Sequence, residues 1–430
     1  MKQILSSAGL LALGAVSLYA LDPEMSRQAT GRPFSISASV RGFYDDNIYT
    51  APDKERKESF GYQISPSAHL NLPLPQTFIG LGYVYTLSHY ENRSGDKFDQ
   101  NHEFSGKLRH QFSPRHQIGV DDSFVLTSEP TVVDRFGIIT SPTRVRTRSS
   151  VYQNRGAIED NFQMTRQLTL SLGYNNSWYD YEADGPGSRS ALLDRIEHTI
   201  RADLRYLFTP KLVGIVGYSF GLNNYTANEA IGSTTDSLGT TVIIKSQDRD
   251  SYSHYGYVGV DYDMTAKLRA SARIGAQFTD YHELGQSSAS PYAEATLSYL
   301  FAPGTSGEVG VRHARNATDV VAVDTKTGRP TLDAETTAIF AQLQHRFTHD
   351  LTATFIGQFQ TSTFQDGLNN GATEDLWLVG VNLNYSINRH LSAEFGYNYD
   401  QLNSDTQASK AAPHRSYDRN RVYVGLRATY

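Results

Sequence analysis

From Phe34 to the final Tyr430 the chain alternates apolar and polar positions with a period of two. In residues 195–208 one face reads Ile196, His198, Ile200, Ala202, Leu204, Tyr206, Phe208, and the other Glu197, Thr199, Arg201, Asp203, Arg205. In 391–403, Leu391, Ala393, Phe395, Tyr397 and Tyr399 alternate with Ser392, Glu394, Gly396, Asn398 and Asp400. Such a period puts the two sets on opposite sides of a pleated strand. The pattern continues to the last residue. Val422, Val424, Leu426, Ala428 and Tyr430 share one face, with Arg421, Tyr423, Gly425, Arg427 and Thr429 between them. A free terminus is usually ragged and polar, so this one predicts a paired strand.

Eighteen such segments are predicted, near 35–49, 59–70, 77–90, 100–112, 117–127, 150–163, 168–181, 195–208, 212–225, 250–263, 268–282, 289–301, 307–317, 335–347, 351–363, 375–387, 391–403 and 417–430, with sixteen as the alternative count. Alternate connections are short and resemble one another: Phe112-Ser-Pro-Arg-His, Met164-Thr-Arg-Gln-Leu, Phe208-Thr-Pro-Lys-Leu, Met264-Thr-Ala-Lys-Leu, Phe301-Ala-Pro-Gly, Phe347-Thr-His-Asp-Leu and Ile387-Asn-Arg-His-Leu. Ser, Thr or Asn can bond the local backbone there, and Pro presets φ for the next position. The other connections are long and rich in Gly, Asn, Asp, Ser and Thr, as in 128–149, 182–194, 227–249 and 318–334. Short turns at one end and long loops at the other is the asymmetry of an outer-membrane barrel. A sandwich or propeller would also alternate, but would not need a large residue at one height before seven turns. The fold expected is an all-β, transmembrane, antiparallel up-and-down barrel. Phe112, Phe208, Phe301, Phe347 and Tyr430 would form an aromatic girdle at the short-turn end. Tyr90, Trp178, Tyr225, Tyr281 and Tyr399 lie at the right height for a second girdle at the other.

Composition agrees with this reading. Tyr 27, Phe 20 and Gly 34 against Trp 2 is strand chemistry. A mean hydropathy of −0.45 is too polar for a helical membrane protein but suits a barrel whose alternate residues face water. Net charge is −6, no half of the chain is strongly basic, and nucleic acid is not an expected partner. With no cysteine, thiol chemistry and disulfides are excluded. Lys2, an apolar run from Ile4 to Leu18 and small residues ending at Ala20 read as an export signal over 1–20. Residues 21–33 would be a short periplasmic lead, and 34–430 the barrel, with both termini in the periplasm.

The terminal strand, Arg421 to Tyr430, resembles the closing strand of bacterial outer-membrane barrels, which the insertion machinery reads. By that resemblance Val422, Val424, Leu426, Ala428 and Tyr430 form the insertion signal. Tyr44-Asp45-Asp46-Asn47-Ile48-Tyr49 at the end of the first segment resembles a motif of the β-barrel porin family of "outer membrane beta-barrel proteins". Some members of that family accompany exopolysaccharide gene clusters. The resemblance implies location and fold more than substrate. Asp45, Asp46 and Asn47 could supply oxygen ligands to a hard cation, or simply open a loop. No metal and no cofactor are expected.

By parity Arg41, Lys107, Arg109, Arg155, Arg201, Arg205, Arg269, Arg273, Arg312, Arg346, Arg421 and Arg427 face the lumen, with Glu103, Asp121, Glu159, Glu197, Asp203, Asp261, Asp263, Glu294, Glu308, Glu394 and Asp400. Twelve cations against eleven anions do not predict strong ion selectivity, and cross-strand pairing that stiffens the wall accounts for them equally well. Arg135, Arg144, Arg146 and Arg148 lie in the third long loop. By resemblance to trimeric porins they could form a basic constriction, or they could begin the next strand. The thirteen histidines form no defensible nucleophile–base set. The expected function is therefore a passive pore for small solutes or glycan segments, with outer-membrane lipid and the insertion machinery as partners. A non-conducting accessory barrel for exopolysaccharide secretion or envelope assembly is the alternative, and a hydrolase at the rim the third reading.

Overall fold

The computed structural model describes residues 33–127, 150–235, 239–406 and 415–430. The stretch expected to be an export signal (1–20), most of the expected lead (21–33) and the loop arginines Arg135, Arg144, Arg146 and Arg148 lie outside the described residues.

The strands are β1 Phe34–Asp45, β2 Ser59–Pro73, β3 Thr77–Tyr90, β4 Phe98–Ser113, β5 His116–Thr127, β6 Val151–Gln163, β7 Leu168–Tyr181, β8 Arg195–Thr209, β9 Leu212–Tyr225, β10 Ala230–Thr235, β11 Thr241–Lys245, β12 Ser251–Asp263, β13 Leu268–Tyr281, β14 Gln286–Ala302, β15 Thr305–Asn316, β16 Asp333–Arg346, β17 Leu351–Gln365, β18 Thr373–Asn388, β19 Leu391–Ser404 and β20 Tyr417–Thr429. Eighteen of them form one antiparallel sheet in sequence order. β10 and β11 pair only with each other, as a hairpin inside a stretch that the sequence alone reads as loop. A short helix, α1 Arg189–Leu193, sits in the β7–β8 loop with Ser188 as its N-cap.

The sheet closes on itself where β20 pairs with β1, from Ser37↔Thr429 to Asp45↔Arg421. Tyr430 completes the seam: its N–H donates to the Ile36 carbonyl at 2.8 Å, and the Ile36 N–H donates back at 3.2 Å. Inner and outer faces alternate as expected. The outer face carries exposed aliphatics around the ring, among them Val40, Ile200, Val216, Ile274 and Val424. A continuous apolar belt of this kind belongs against lipid. His110, His313 and His345 sit on this outer face. Their Nδ1 atoms bond Thr77, Thr337 and Thr305 on the neighbouring strand at 2.8, 2.8 and 2.9 Å, so these polar rings are satisfied locally.

The recurrent turns have one mechanism. Thr165, Thr265 and Thr348 each accept two backbone N–H groups through the side-chain hydroxyl, and Asn388 does the same through its amide oxygen. Register shifts fall at Phe112, Phe208, Phe301 and Ile387. Each large residue is thus the extra residue of a bulge, and a bulge re-aims side chains. Phe112, Phe208, Phe301, Phe347 and Tyr430 are all exposed at the short-turn end.

Two expectations need correction. The first strand ends at Asp45, not Tyr49, because the Asp45 carboxylate captures the Asn47 N–H at 3.0 Å and turns the chain. Tyr90, Tyr225 and Tyr281 do not form an outer girdle, since all three are buried inside the ring. They share the parity of Ser88, Asn223 and Thr279, so height misled where alternation would not have.

Deleting Tyr430 removes both terminal seam bonds, at about 0.5–1.5 kcal/mol each. Heat-modifiable gel migration should show the folded band converting at a lower temperature than in the full-length chain.

Candidate functional site in the lumen and its loop-covered mouth

The sequence-predicted lumen residues fall into paired sets. The Glu394 carboxylate accepts from Arg41 (Nη2, 2.7 Å) and Arg427 (Nε, 2.5 Å). Asp261 likewise joins Arg205 at 2.6 Å and Arg273 at 3.0 Å. Asp203 accepts from the Tyr257 hydroxyl at 2.6 Å and lies 3.6 Å from Arg201. Arg109 pairs with Asp121 at 2.5 Å, and Arg269 with Asp263 at 2.7 Å near a short turn. Arg421 lies over the Phe43 ring. Lys107, Arg312 and Arg346 form no ion pair with any described residue; Lys107 and Arg312 are half-buried, and Arg346 is exposed at the short-turn end. Glycine makes room for aromatic rings in this wall. A Cβ at Gly396 would meet the Tyr423 ring at 2.1 Å, and one at Gly217 would meet Tyr257 at 2.2 Å.

Asp45, Asp46 and Asn47 are occupied by the seam. Asp46 accepts from the Asn420 N–H at 2.7 Å and its Nδ2 at 2.8 Å. The Asn47 amide donates to the Ala51 and Asp418 carbonyls, and its oxygen accepts from the Ala51 N–H. The motif therefore clasps the first strand to the last. Among the described residues no group of three or more His, Cys, Asp or Glu side chains is arranged to hold a metal.

A second set of residues escapes sequence reasoning altogether. Asp319, in the β15–β16 loop, is fully buried as a side chain and accepts from Arg189 of the β7–β8 loop. It also takes Arg415 of the β19–β20 loop through two 3.0 Å bonds. Arg415 reaches Glu374 at the top of β18 at 2.6 Å as well. Burial opposes ionisation of Asp319, but Arg415 and Arg189 outweigh it and hold the carboxyl below the ordinary 3.8. Arg249 of the β9–β12 connection is buried beside them. It donates to the carbonyls of Thr318 (3.3 Å) and Leu192 (2.5 Å) and lies 4.1 Å from the Tyr225 ring centroid. Burial lowers its pKa, with Tyr225 partly offsetting that and Arg195 adding to it. Asp194, closing α1, is pushed up to about 6 by burial, against bonds from Ser190 and the Tyr181 N–H. Loops rooted on widely separated strands thus meet over the mouth. Four apolar clusters, including Val151–Tyr179–Tyr181–Leu193 and Val320–Ala334–Phe364, lie at this end. No periodicity marks loop residues, so only the assembled ring brings them together.

A closed ring of eighteen strands, apolar outside and lined inside by paired charges, is a transmembrane β-barrel. The family described as Putative beta-barrel porin 2 matches residues 34–430, and the chain belongs to it. Membership sets it among the barrels of the outer membrane. No curated protein matches the sequence. Similar solved structures include the outer membrane protein OpdK of Pseudomonas aeruginosa (10% identity, 92% of this chain and 99% of that chain, TM-score 0.43). OpdQ of Pseudomonas aeruginosa (14%, 93% and 99%, 0.42) and the siderophore receptor PirA of Acinetobacter baumannii (11%, 92% and 80%, 0.44) are others. The fold itself rests on this chain's own strand ladder.

Replacing Glu394 by Gln strands two lumen arginines. Breaking a buried pair in this way costs about 3–5 kcal/mol. The E394Q barrel should unfold at lower urea than wild type, read by loss of β-sheet circular dichroism.

Proposed function

We propose that the chain is a passive pore of the outer membrane, passing small solutes or glycan segments. Short turns and both termini would face the periplasm, and the long loops the outside. One observation carries this reading: the ring has eighteen strands and a polar inner wall, and barrels of roughly 16–18 strands leave an aqueous channel. The reading is a channel and not an enzyme. The exposed terminal face of Val422, Val424, Leu426, Ala428 and Tyr430 supports its role as the signal read by the insertion machinery.

The loop cluster at Asp319 favours a second reading, a non-conducting accessory barrel for exopolysaccharide secretion or envelope assembly. Loops tied across the mouth suit a scaffold as well as a gated pore. Planar-bilayer recording of the refolded barrel separates the two. Steps of conductance support the pore, and silence from a correctly folded, heat-modifiable sample would sink it.

If the pore reading holds, Asp319→Asn should raise open-state conductance or open time several-fold, because two arginines lose their common anion. The pH dependence follows from the two loop carboxyls. Asp319, with its pKa depressed in the fold, stabilises the loop assembly above pH 3.8 and loses this as pH falls through its lower folded value. Asp194, raised to about 6, stabilises most fully below 3.8, and that contribution is lost as pH rises through about 6. Limited proteolysis with an acid-active protease should find the loops tightening from pH 7 to 4 and opening below that.

A further inference from the structure

The apolar outer belt carries a carboxylate at mid-depth. Asp122 lies in the middle of β5 and shares the outward parity of Val120 and Phe124. It is exposed. Its register partners on both sides are glycines, Gly106 on β4 and Gly156 on β6. Apolar side chains surround this gap on the same face, Phe104 and Ile158 both being exposed. Asp122 forms no ion pair with any described residue; one amide, Asn154 Nδ2, donates to its two oxygens at 3.3 and 3.2 Å. Asp160, an outward carboxylate nearer the short turns, has by contrast a partner in His116 at 2.7 Å.

The polar row continues one strand further. Gly156 stands opposite Asn176 on β7. The Asn176 Nδ2 donates to the Glu197 carbonyl at 3.4 Å and to His198 Nδ1 at 3.2 Å, and its amide oxygen is left without a donor among the described residues. Asp122, Gly156 and Asn176 thus sit side by side on three neighbouring strands, which lie about 4.8 Å apart. A Cβ at Gly156 would meet Asp122 Oδ2 at 3.5 Å, so the carboxylate borders the space that the glycine leaves open. The result is a shallow seat, with an anion on one side and an amide oxygen on the other. Charge on the lipid face destabilises a barrel most at mid-depth. Lipid tails have no donor to offer, and an ionisable group at this depth marks a site with a partner. The complement of a carboxylate beside an amide oxygen is a cationic donor. The outward sets of β4 to β8 contain no Lys or Arg. A second copy meeting this face with its own would therefore bring a second Asp122 and no cation.

We propose that the outer wall over β5, β6 and β7 docks a membrane-embedded partner protein that presents a lysine or arginine to the middle of the bilayer. The cationic head lies over Gly156 and bonds Asp122 on one side and the Asn176 oxygen on the other. The partner's apolar surface covers Phe104 and Ile158. This site is on the outside of the barrel and stands whether or not the lumen conducts.

The test uses the full chain refolded into phosphatidylcholine vesicles. The probes are two dansyl-labelled polyleucine helices that span the bilayer, one with a single central lysine and one without it. Trp178 shares the outward parity of Asn176 on β7, and in a W377F background it is the only tryptophan. Energy transfer from Trp178 to the dansyl group therefore reports docking at this face. The lysine helix should bind about tenfold or more tightly than the all-leucine helix. D122L should remove that preference. G156L, which fills the seat and keeps the carboxylate, should weaken the lysine helix by a similar factor. Heat-modifiable migration confirms that each variant is folded. No binding of the lysine helix, equal binding of the two helices, or an undiminished preference in folded D122L or G156L would each overturn the partner. A barrel dimer that D122L dissolves would overturn it as well, and would assign the face to a second copy.

Discussion

Everything in this molecule depends on backbone pairing without a free edge. In a hydrocarbon layer an unpaired N–H or C=O costs several kcal/mol, so a sheet can cross only as a closed ring. Closure here is the ladder between β1 and β20, extended to the final residue by Tyr430 and Ile36. The side chains of Asp46 and Asn47 reinforce the opposite end of the same ladder. A seam joining the two ends of a chain has no covalent turn to hold its register. The alternation of faces supplies it, because a slip of one residue would send Arg421 and Arg427 into lipid.

Once the ring is closed, its interior must accommodate charge. The structure does so by sharing: one carboxylate serves two arginines at Glu394, at Asp261 and again at Asp319. Each trio spans strands or loops that are distant in sequence. The first two trios each leave one positive charge over, whereas at the third Glu374 also takes Arg415 and the charges balance. The first two sit within the wall and stiffen it. The third ties loops rather than strands, at the mouth, where the barrel's apolar clusters also gather. The wall is therefore built to stay put, whereas the mouth is held by contacts that one proton or one substitution can weaken.

The barrel was legible because its grammar is local. Period two sets the face, a Thr or Asn after a large apolar residue sets the turn, and both repeat often enough to count eighteen strands. Even the seam could be foreseen from an aromatic last residue. Two kinds of fact were not local. The inward turn of Tyr90, Tyr225 and Tyr281 contradicts the habit of reading rim aromatics as lipid-facing, although Ser88, Asn223 and Thr279 gave the parity away. The meeting of Arg189, Asp319 and Arg415 has no counterpart in the sequence, because loop residues follow no period and their proximity is created by the ring.

The clasp between Asp46 and Asn420 joins residues 374 positions apart. It can form only when β20 is present. Until β20 exists, every hairpin may be in place and the sheet still has two open edges, which invite pairing with other chains. Chain ends this remote meet slowly, since loop-closure entropy precedes any reward from pairing. A chain that lacks only β20 keeps its other hairpins but cannot fasten through this seam. The two carboxylate oxygens of Asp46 thus tie closure of the ring to the presence of its eighteenth strand.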